Sequence, residues 1–172
     1  MKYLMILVVI LGSVQVTAAQ SRAEKKQKKK ELRAESFQEL KEFFEGRNFR
    51  FVADWADTQK GRRINLMSNP NSYIQKGDTI NANLPYFGVA QVATMSGDVG
   101  INVENMLLEG ESIKYNEKKF RLVYSFKVNS TRGEMLSCVF TIQANKSATL
   151  SVRSTQRNMI SYSGKVSHLE SD

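Results

Sequence analysis

The spacing of apolar and polar positions changes once along this chain, near residue 46. From Ser21 to Glu45 good helix formers dominate, and apolar residues gather on one stripe only in the last turns. That stripe consists of Phe37, Leu40, Phe43 and Phe44. Ser36 and Glu39 have the spacing of a capping box, which allows a fresh helix start within the segment, and Gly46 is predicted to end the helix. The pattern predicts one N-terminal amphipathic helix.

After Gly46 apolar residues recur at every second position, which is the period of a strand with one buried face. The first strand is predicted to bury Phe49, Phe51, Ala53 and Trp55. Shorter alternating runs follow at Ile64 and Leu66, at Ile80, Ala82 and Leu84, and at Val99, Ile101 and Val103. The segments between them are rich in Gly, Asn, Ser and Pro, which indicates turns.

The alternation is clearest in the C-terminal third. Apolar positions from Phe120 to Val128, from Leu136 to Ala144 and from Ala148 to Val152 predict a three-stranded meander. Its outer face carries Arg121, Ser125, Lys127, Ser137, Thr141, Gln143, Ser151 and Arg153. A last strand is predicted from Ile160 to Val166. About eight strands without helical crossovers predict a mostly β fold, either an antiparallel sandwich or a small barrel.

The N-terminus has the layout of a secretory signal. A lysine precedes the apolar run Leu4 to Leu11, and small residues allow cleavage after Ala18 or Ala19. The apolar stretch is too short to span a membrane, and no cysteine follows it to take a lipid. A periplasmic or secreted protein is therefore predicted, soluble after cleavage and without a transmembrane anchor. Three segments are expected: a signal peptide at 1–19, a basic helical arm at 20–35 and a single β-rich domain at 36–172.

The net charge of +8 belongs mainly to the arm. Residues 20–35 hold seven basic and three acidic side chains, a surplus of +4, whereas residues 36–172 contribute +3. A basic helix of this kind is either simply solvated or able to bind an anionic surface or partner. Export argues against nucleic acid as that partner. The sequence leaves the partner of the protein unknown, with a small ligand or an envelope protein as the candidates.

Residues that usually carry metal or catalytic chemistry are scarce. His168, near the C-terminus, is the only histidine, and the only cysteine, Cys138, has the parity of the buried strand positions. No metal site, cofactor or nucleophilic triad is predicted, and no motif supports an enzyme. Hydrolysis by paired carboxylates stays open, with candidates among Asp54, Asp57, Asp78, Asp98, Glu104 and Glu111.

Two segments between predicted strands are less ordinary. Residues 84–88 place a proline and two aromatic rings before a glycine, and they form either a structural corner or the mouth of a pocket. Residues 154–164 include Arg157, which either stabilises a turn or clamps a carboxylate. The candidate ligand-binding residues are Pro85, Tyr86, Phe87, Gly88, Arg157 and Tyr162.

The same segments contain two distinctive runs, LPYFGVA at residues 84–90 and RNMISYSG at residues 157–164. With the signal-like start and the lysine-rich helix, they resemble the domain of unknown function 4251 family, exported proteins of Bacteroidota. The resemblance extends from about Phe37 to Val166 and implies no activity, because none is assigned to that family. Val89 stands where the family usually has arginine, which weakens the idea of a cationic clamp in this loop.

These observations favour a non-enzymatic binding module that holds a small amphipathic ligand or a peptide against the β domain. The alternative is a structural or interaction protein of the cell envelope, which uses the basic arm and a sheet edge against anionic partners. A hydrolase with paired carboxylates is the third hypothesis.

Overall fold

The computed structural model describes the backbone of residues 2–87 and 100–169, and side chains from Arg22 onward. Within these residues one helix, α1 (Lys2–Glu45), leads into ten strands. The strands are β1 Asn48–Thr58, β2 Arg63–Asn65, β3 Ser72–Lys76, β4 Thr79–Leu84, β5 Ile101–Leu107, β6 Glu109–Asn116, β7 Arg121–Asn129, β8 Met135–Gln143, β9 Ser147–Ser154 and β10 Ile160–His168. In this described part, no helix combines the length and the hydropathy needed to cross a membrane.

The strands form one curled antiparallel sheet, a half-barrel, in the order β5-β4-β3-β1-β10-β9-β8-β7-β6, with the short β2 beside the second half of β1. The predicted mostly β fold with an N-terminal helix is confirmed. The predicted C-terminal meander is β7, β8 and β9, paired in register from Arg121–Gln143 to Leu136–Ser154. Its apolar positions face the interior, as their alternation predicts.

The two ends of the sheet, β5 and β6, follow one another in the chain with only Leu108 between them. The amide of Leu108 donates to the carbonyl of Asp78 at 2.9 Å. At the other end of β5, the amide of Thr131 donates to the carbonyl of Asn102, also at 2.9 Å. The bond from Leu108 extends the pairing of β4 with β5, and the bond from Thr131 ties β5 to the β7–β8 loop.

Aromatic rings fill the concave side of the sheet. Phe140 of β8 lies at the centre, with its ring centroid 5.8 Å from Phe49, 5.3 Å from Phe51 and 5.0 Å from Tyr73. Edge-to-face and tilted pairs of this kind stabilise a core beyond the area that they bury. Among the described residues, aromatic side chains therefore occupy the centre of the interior.

One polar side chain, Gln75 of β3, is fully buried among these rings. Its carbonyl accepts a hydrogen bond from the Tyr73 hydroxyl at 2.8 Å, and its amide donates to the Tyr124 hydroxyl at 2.9 Å and to the Gly77 carbonyl at 2.9 Å. Because an unsatisfied buried amide destabilises a core, this arrangement fixes how β3 and β7 face each other.

The last turns of α1 close one end of the half-barrel. Phe37, Leu40, Phe43 and Phe44 are buried, as their stripe predicts. The Phe44 ring lies 5.4 Å from Phe49 and 5.0 Å from Tyr124. This end also holds the β6–β7 and β8–β9 turns, and we call it the helix end. The opposite end, where β4, β8 and β10 meet the β7–β8 and β9–β10 loops, is called the loop end.

The fresh helix start that the sequence allows at Ser36 is not formed. The Ser36 hydroxyl donates back to the carbonyl of Leu32 at 2.9 Å, so α1 continues through this position without a cap. The helix does end where expected, but the left-handed residue there is Arg47, with φ of 46°, instead of Gly46. Arg47 is held in place by ion pairs to Asp78 and Glu111.

The predicted inward position of Trp55 is also wrong. A bulge in β1 between Ala53 and Trp55 shifts the alternation by one residue, so Ala56 is buried and Trp55 lies half-buried on the outer face. There the Arg63 guanidinium covers the indole at 4.9 Å from the ring centroid. The sequence pattern contains no signal for the extra residue.

Two residues accommodate this bulge. The Asn71 side chain accepts from the Ala53 amide at 2.8 Å and donates to its carbonyl at 3.0 Å, in place of a neighbouring strand. On the other side, Gly164 pairs with Ala53, and a Cβ at Gly164 would lie 1.9 Å from the carbonyl oxygen of Val52. The close approach of β1 and β10 therefore requires glycine at this position.

Candidate functional site

The structure brings together four of the six predicted ligand-binding residues at the loop end. The Tyr162 hydroxyl donates to the Pro85 carbonyl at 2.8 Å, and the Tyr86 hydroxyl donates to the Asn158 carbonyl at 2.9 Å. The Arg157 guanidinium lies over the Tyr86 ring, 5.2 Å from its centroid. Residues 85–86 are thus tied to the β9–β10 loop and to β10.

Arg157 is buried and binds a carboxylate that the sequence analysis did not identify, Glu134. The Arg157 Nε lies 2.9 and 3.1 Å from the two oxygens of Glu134, and its Nη1 donates to the Gly100 carbonyl at 3.1 Å. The Ser154 hydroxyl also donates to Glu134. Arg157 therefore both stabilises the loop and clamps a carboxylate, and the carboxylate belongs to the protein itself.

Nothing in the sequence pattern singles out Glu134. It is an acidic residue at the start of a strand, next to the turn residues 130–133, and such residues are usually solvated. The structure buries it to 2% exposure and bonds its amide to the Ser130 hydroxyl at 3.1 Å. Only the fold brings residues 134 and 157 together.

The space among the described residues of this cluster is too small for a water molecule. Phe87 differs from the rest because its ring is 36% exposed. Gly88 lies outside the described residues. Ligand binding by the six residues accordingly stays a prediction, and the described part of the cluster makes its hydrogen bonds within the protein.

Burial governs the protonation of the two tyrosines. It raises the pKa of Tyr162 well above the usual 10, and the neighbouring Tyr86 phenol acts in the same direction. Burial also raises the pKa of Tyr86, although Arg157 acts to lower it. Both hydroxyls therefore remain protonated donors at neutral pH, which is the form that their bonds to carbonyl oxygens require.

Two of the acids considered for hydrolysis, Asp78 and Glu111, lie near each other, and both form ion pairs with Arg47. The Arg47 Nη1 lies 3.0 Å from the Asp78 carboxylate and 2.6 Å from that of Glu111. In a glycosidase the substrate bond lies between the two carboxyl groups, and here the guanidinium fills that position. Among the described residues, no group of three His, Cys, Asp or Glu side chains is placed to hold a metal ion.

The basic arm is the other feature that carries unusual chemistry. Its side chains from Arg22 to Glu35 are all exposed. Four cations, Arg22, Lys26, Lys29 and Arg33, are spaced four, three and four residues apart and therefore share one face of α1. The acids Glu24, Glu31 and Glu35, spaced seven and four apart, share the opposite face with Lys28. We call the first face the basic stripe.

The basic stripe continues the apolar stripe. Phe37, Leu40 and Phe44 follow Arg33 at spacings of four, three and four, so cations and buried rings lie on the same side of the helix. Because the rings face the half-barrel, the cations also face that side, where the helix passes the helix end. The arm and the body thus form a concave corner, and the cations of the basic stripe line the arm's side of this corner.

The described residues form a half-barrel closed at one end by an N-terminal helix, which is a mostly β class of fold. Residues 31–166 match the family described as Domain of unknown function (DUF4251). The chain belongs to this family, as its two sequence runs predict. The arm residues before 31 lie outside the match.

A solved structure supports the fold. The crystal structure of a DUF4251 family protein from Bacteroides eggerthii DSM 20697 is similar with a TM-score of 0.60, covering 78% of this chain and 89% of that chain. The sequence identity is 16%, so the similarity concerns the fold alone. No curated protein matches this chain.

Proposed function

We propose that this chain is a non-enzymatic interaction protein of the cell envelope, which binds a linear anionic polymer through the basic stripe of its arm. The observation that carries the proposal is the row of four cations, Arg22, Lys26, Lys29 and Arg33, on one exposed face of α1 that contains no acid. Such a row of cations, without an acid on the same face, is a surface to which an anion can bind. The envelope location rests on the signal-like N-terminus.

The geometry of the corner favours a polymer over a flat membrane. The basic stripe faces the side on which the body lies, so a flat surface approaching it would meet the body as well. An extended chain fits along the arm instead. The stripe from Arg22 to Arg33 is about 17 Å long at 1.5 Å per residue, with a cation roughly every 5–6 Å. A polymer with repeated phosphate, sulfate or carboxylate groups complements such a row.

The test uses residues 20–172, because the buried side chains with which α1 packs against the body begin at Phe37. Dextran sulfate and polygalacturonate serve as anionic probes and neutral dextran as the uncharged one, with calorimetry at low and physiological salt. The arm variant replaces Arg22, Lys26, Lys29 and Arg33 with Gln. A cation near an anionic surface contributes about 1 kcal/mol, so we expect this variant to bind roughly a hundred- to a thousandfold more weakly at low salt.

A control variant with the same change of net charge replaces Arg50, Lys76, Lys127 and Lys165, four exposed strand residues without an ion pair in the described structure, with Gln. It should bind the polymers nearly as well as the unchanged protein. Equal losses in the two variants would refute a role for the arm. Binding to phosphatidylglycerol vesicles but to neither polymer would refute the polymer as the partner.

The small-ligand hypothesis for residues 85–88 has one observation in its favour, the exposed ring of Phe87 beside the loop-end cluster. Native mass spectrometry of the protein purified from its own host tests it. An added mass that is lost on denaturation and on replacing Phe87 with Ala would support it, and a bare mass would count against it.

A further inference from the structure

A groove of about 240 Å³ lies where the arm joins the body. Arg33 and Ser36 of α1 form one wall, Lys119 and Phe120 of the β6–β7 turn form the second, and Gln143 and Asn145 beside the β8–β9 turn form the third. Three separate parts of the chain therefore contribute polar groups to one concave space at the helix end.

Several hydrogen-bond donors of this groove have no partner among the described residues. Arg33 and Lys119 form no ion pair there, and the Gln143 side chain forms no hydrogen bond. The Asn145 oxygen accepts from the amide of Ser147 at 3.1 Å and from its hydroxyl at 2.6 Å, which leaves the Asn145 Nδ2 as a further donor.

No acid lines the groove. The nearest one in sequence to Lys119 is Glu117, and its carboxylate is bound by Lys41 of α1 at 2.6 Å. The charges at the groove are thus two cations from different elements, with amide donors beside them. An anion with several oxygen acceptors satisfies such a set, because charged donors form the strongest hydrogen bonds with anions.

We propose that this groove binds a phosphate ester group of the anionic polymer. This inference rests on the proposed function and gives that polymer its chemistry. A tetrahedral phosphate accepts bonds from donors in several directions, as the three walls present them, whereas a planar carboxylate suits a single guanidinium. The groove also lies at the end of the basic stripe, so one phosphate is held here while its neighbours along the chain meet Lys29 and Lys26.

Binding at this position ties α1 to the body. A ligand that binds only when the helix is docked stabilises the folded state in proportion to its occupancy. We therefore expect inorganic phosphate, used as the probe, to raise the melting temperature of residues 20–172 above that in chloride at equal ionic strength. Phosphate also stabilises proteins unspecifically at high concentration, so the comparison is made at millimolar levels and between variants.

The decisive variant is Lys119→Gln, and its matched control is Lys118→Gln, which changes the same charge in the same turn outside the groove. Loss of one charge-assisted bond should weaken phosphate binding about tenfold in Lys119→Gln, and the control should behave like the unchanged protein. Equal responses of the two variants, or no difference between phosphate and chloride, would overturn the groove proposal.

The two proposals fail in different ways. Polymer binding that depends on the arm, without any phosphate effect through Lys119, overturns the groove alone. Phosphate binding that depends on Lys119, without polymer binding by the arm, overturns the polymer function and leaves an isolated anion site.

Discussion

Replacing Arg157 with Met removes the cation from a carboxylate that the fold has already withdrawn from water. Glu134 is 2% exposed and Arg157 8%, and their contacts are 2.9 and 3.1 Å. Removing one partner of a buried ion pair lowers the free energy of unfolding by about 3–5 kcal/mol, because the remaining charge is buried without a partner. For a domain of this size we expect the melting temperature to fall by about 6–20 °C.

The assay is chemical unfolding followed by the fluorescence of Trp55, the only tryptophan. Arg153→Met is the matched control, since Arg153 is an exposed arginine on the neighbouring strand, and it should change the stability by at most about 0.5 kcal/mol. The double variant Glu134→Leu with Arg157→Met removes both charges and should recover much of the loss. If Arg157→Met lowers the free energy of unfolding no more than the control does, the pair is not buried as described and the reasoning is refuted.

Two further predictions concern the sheet and the buried thiol. Gly164→Ala should destabilise the protein by about 3 kcal/mol, because its Cβ meets the Val52 carbonyl, whereas Ser163→Ala should be nearly neutral in the same unfolding assay. Burial raises the pKa of the Cys138 thiol from 9.0 to about 12. As the pH rises, the unfolded chain therefore loses this proton before the folded protein does. The free energy of unfolding should fall between these two pH values, by up to about 1.36 kcal/mol per pH unit. Cys138→Ala should remove this part of the slope, and an unchanged alkaline slope would contradict the burial.

Local pattern was sufficient for most of the strands. The meander from Arg121 to Ser154 was predicted because successive side chains point to opposite faces of a strand. The short loops between its strands also force each strand to pair with the next one in the chain. The buried stripe of α1 followed equally from its spacing. Trp55 was placed on the wrong face because a bulge shifts the alternation without a mark in composition.

The candidate sites depended more strongly on the fold. Residues 85, 86, 157 and 162 were singled out by unusual composition, and they do meet at the loop end. Glu134 was missed, since no local rule relates an acid at the start of one strand to an arginine in a loop 23 residues later. The phosphate groove was missed for the same reason, because its three walls come from distant parts of the chain.

By itself, then, the sequence determined most of the strands, the buried stripe of the helix and the row of cations on the arm, all of which follow from side-chain spacing along a regular backbone. Tertiary structure alone decided the order of the strands, the bond between β5 and the β7–β8 loop and the burial of Gln75, Glu134 and Arg157. These features depend on which distant groups satisfy each other once water is excluded, and that is a property of packing in three dimensions.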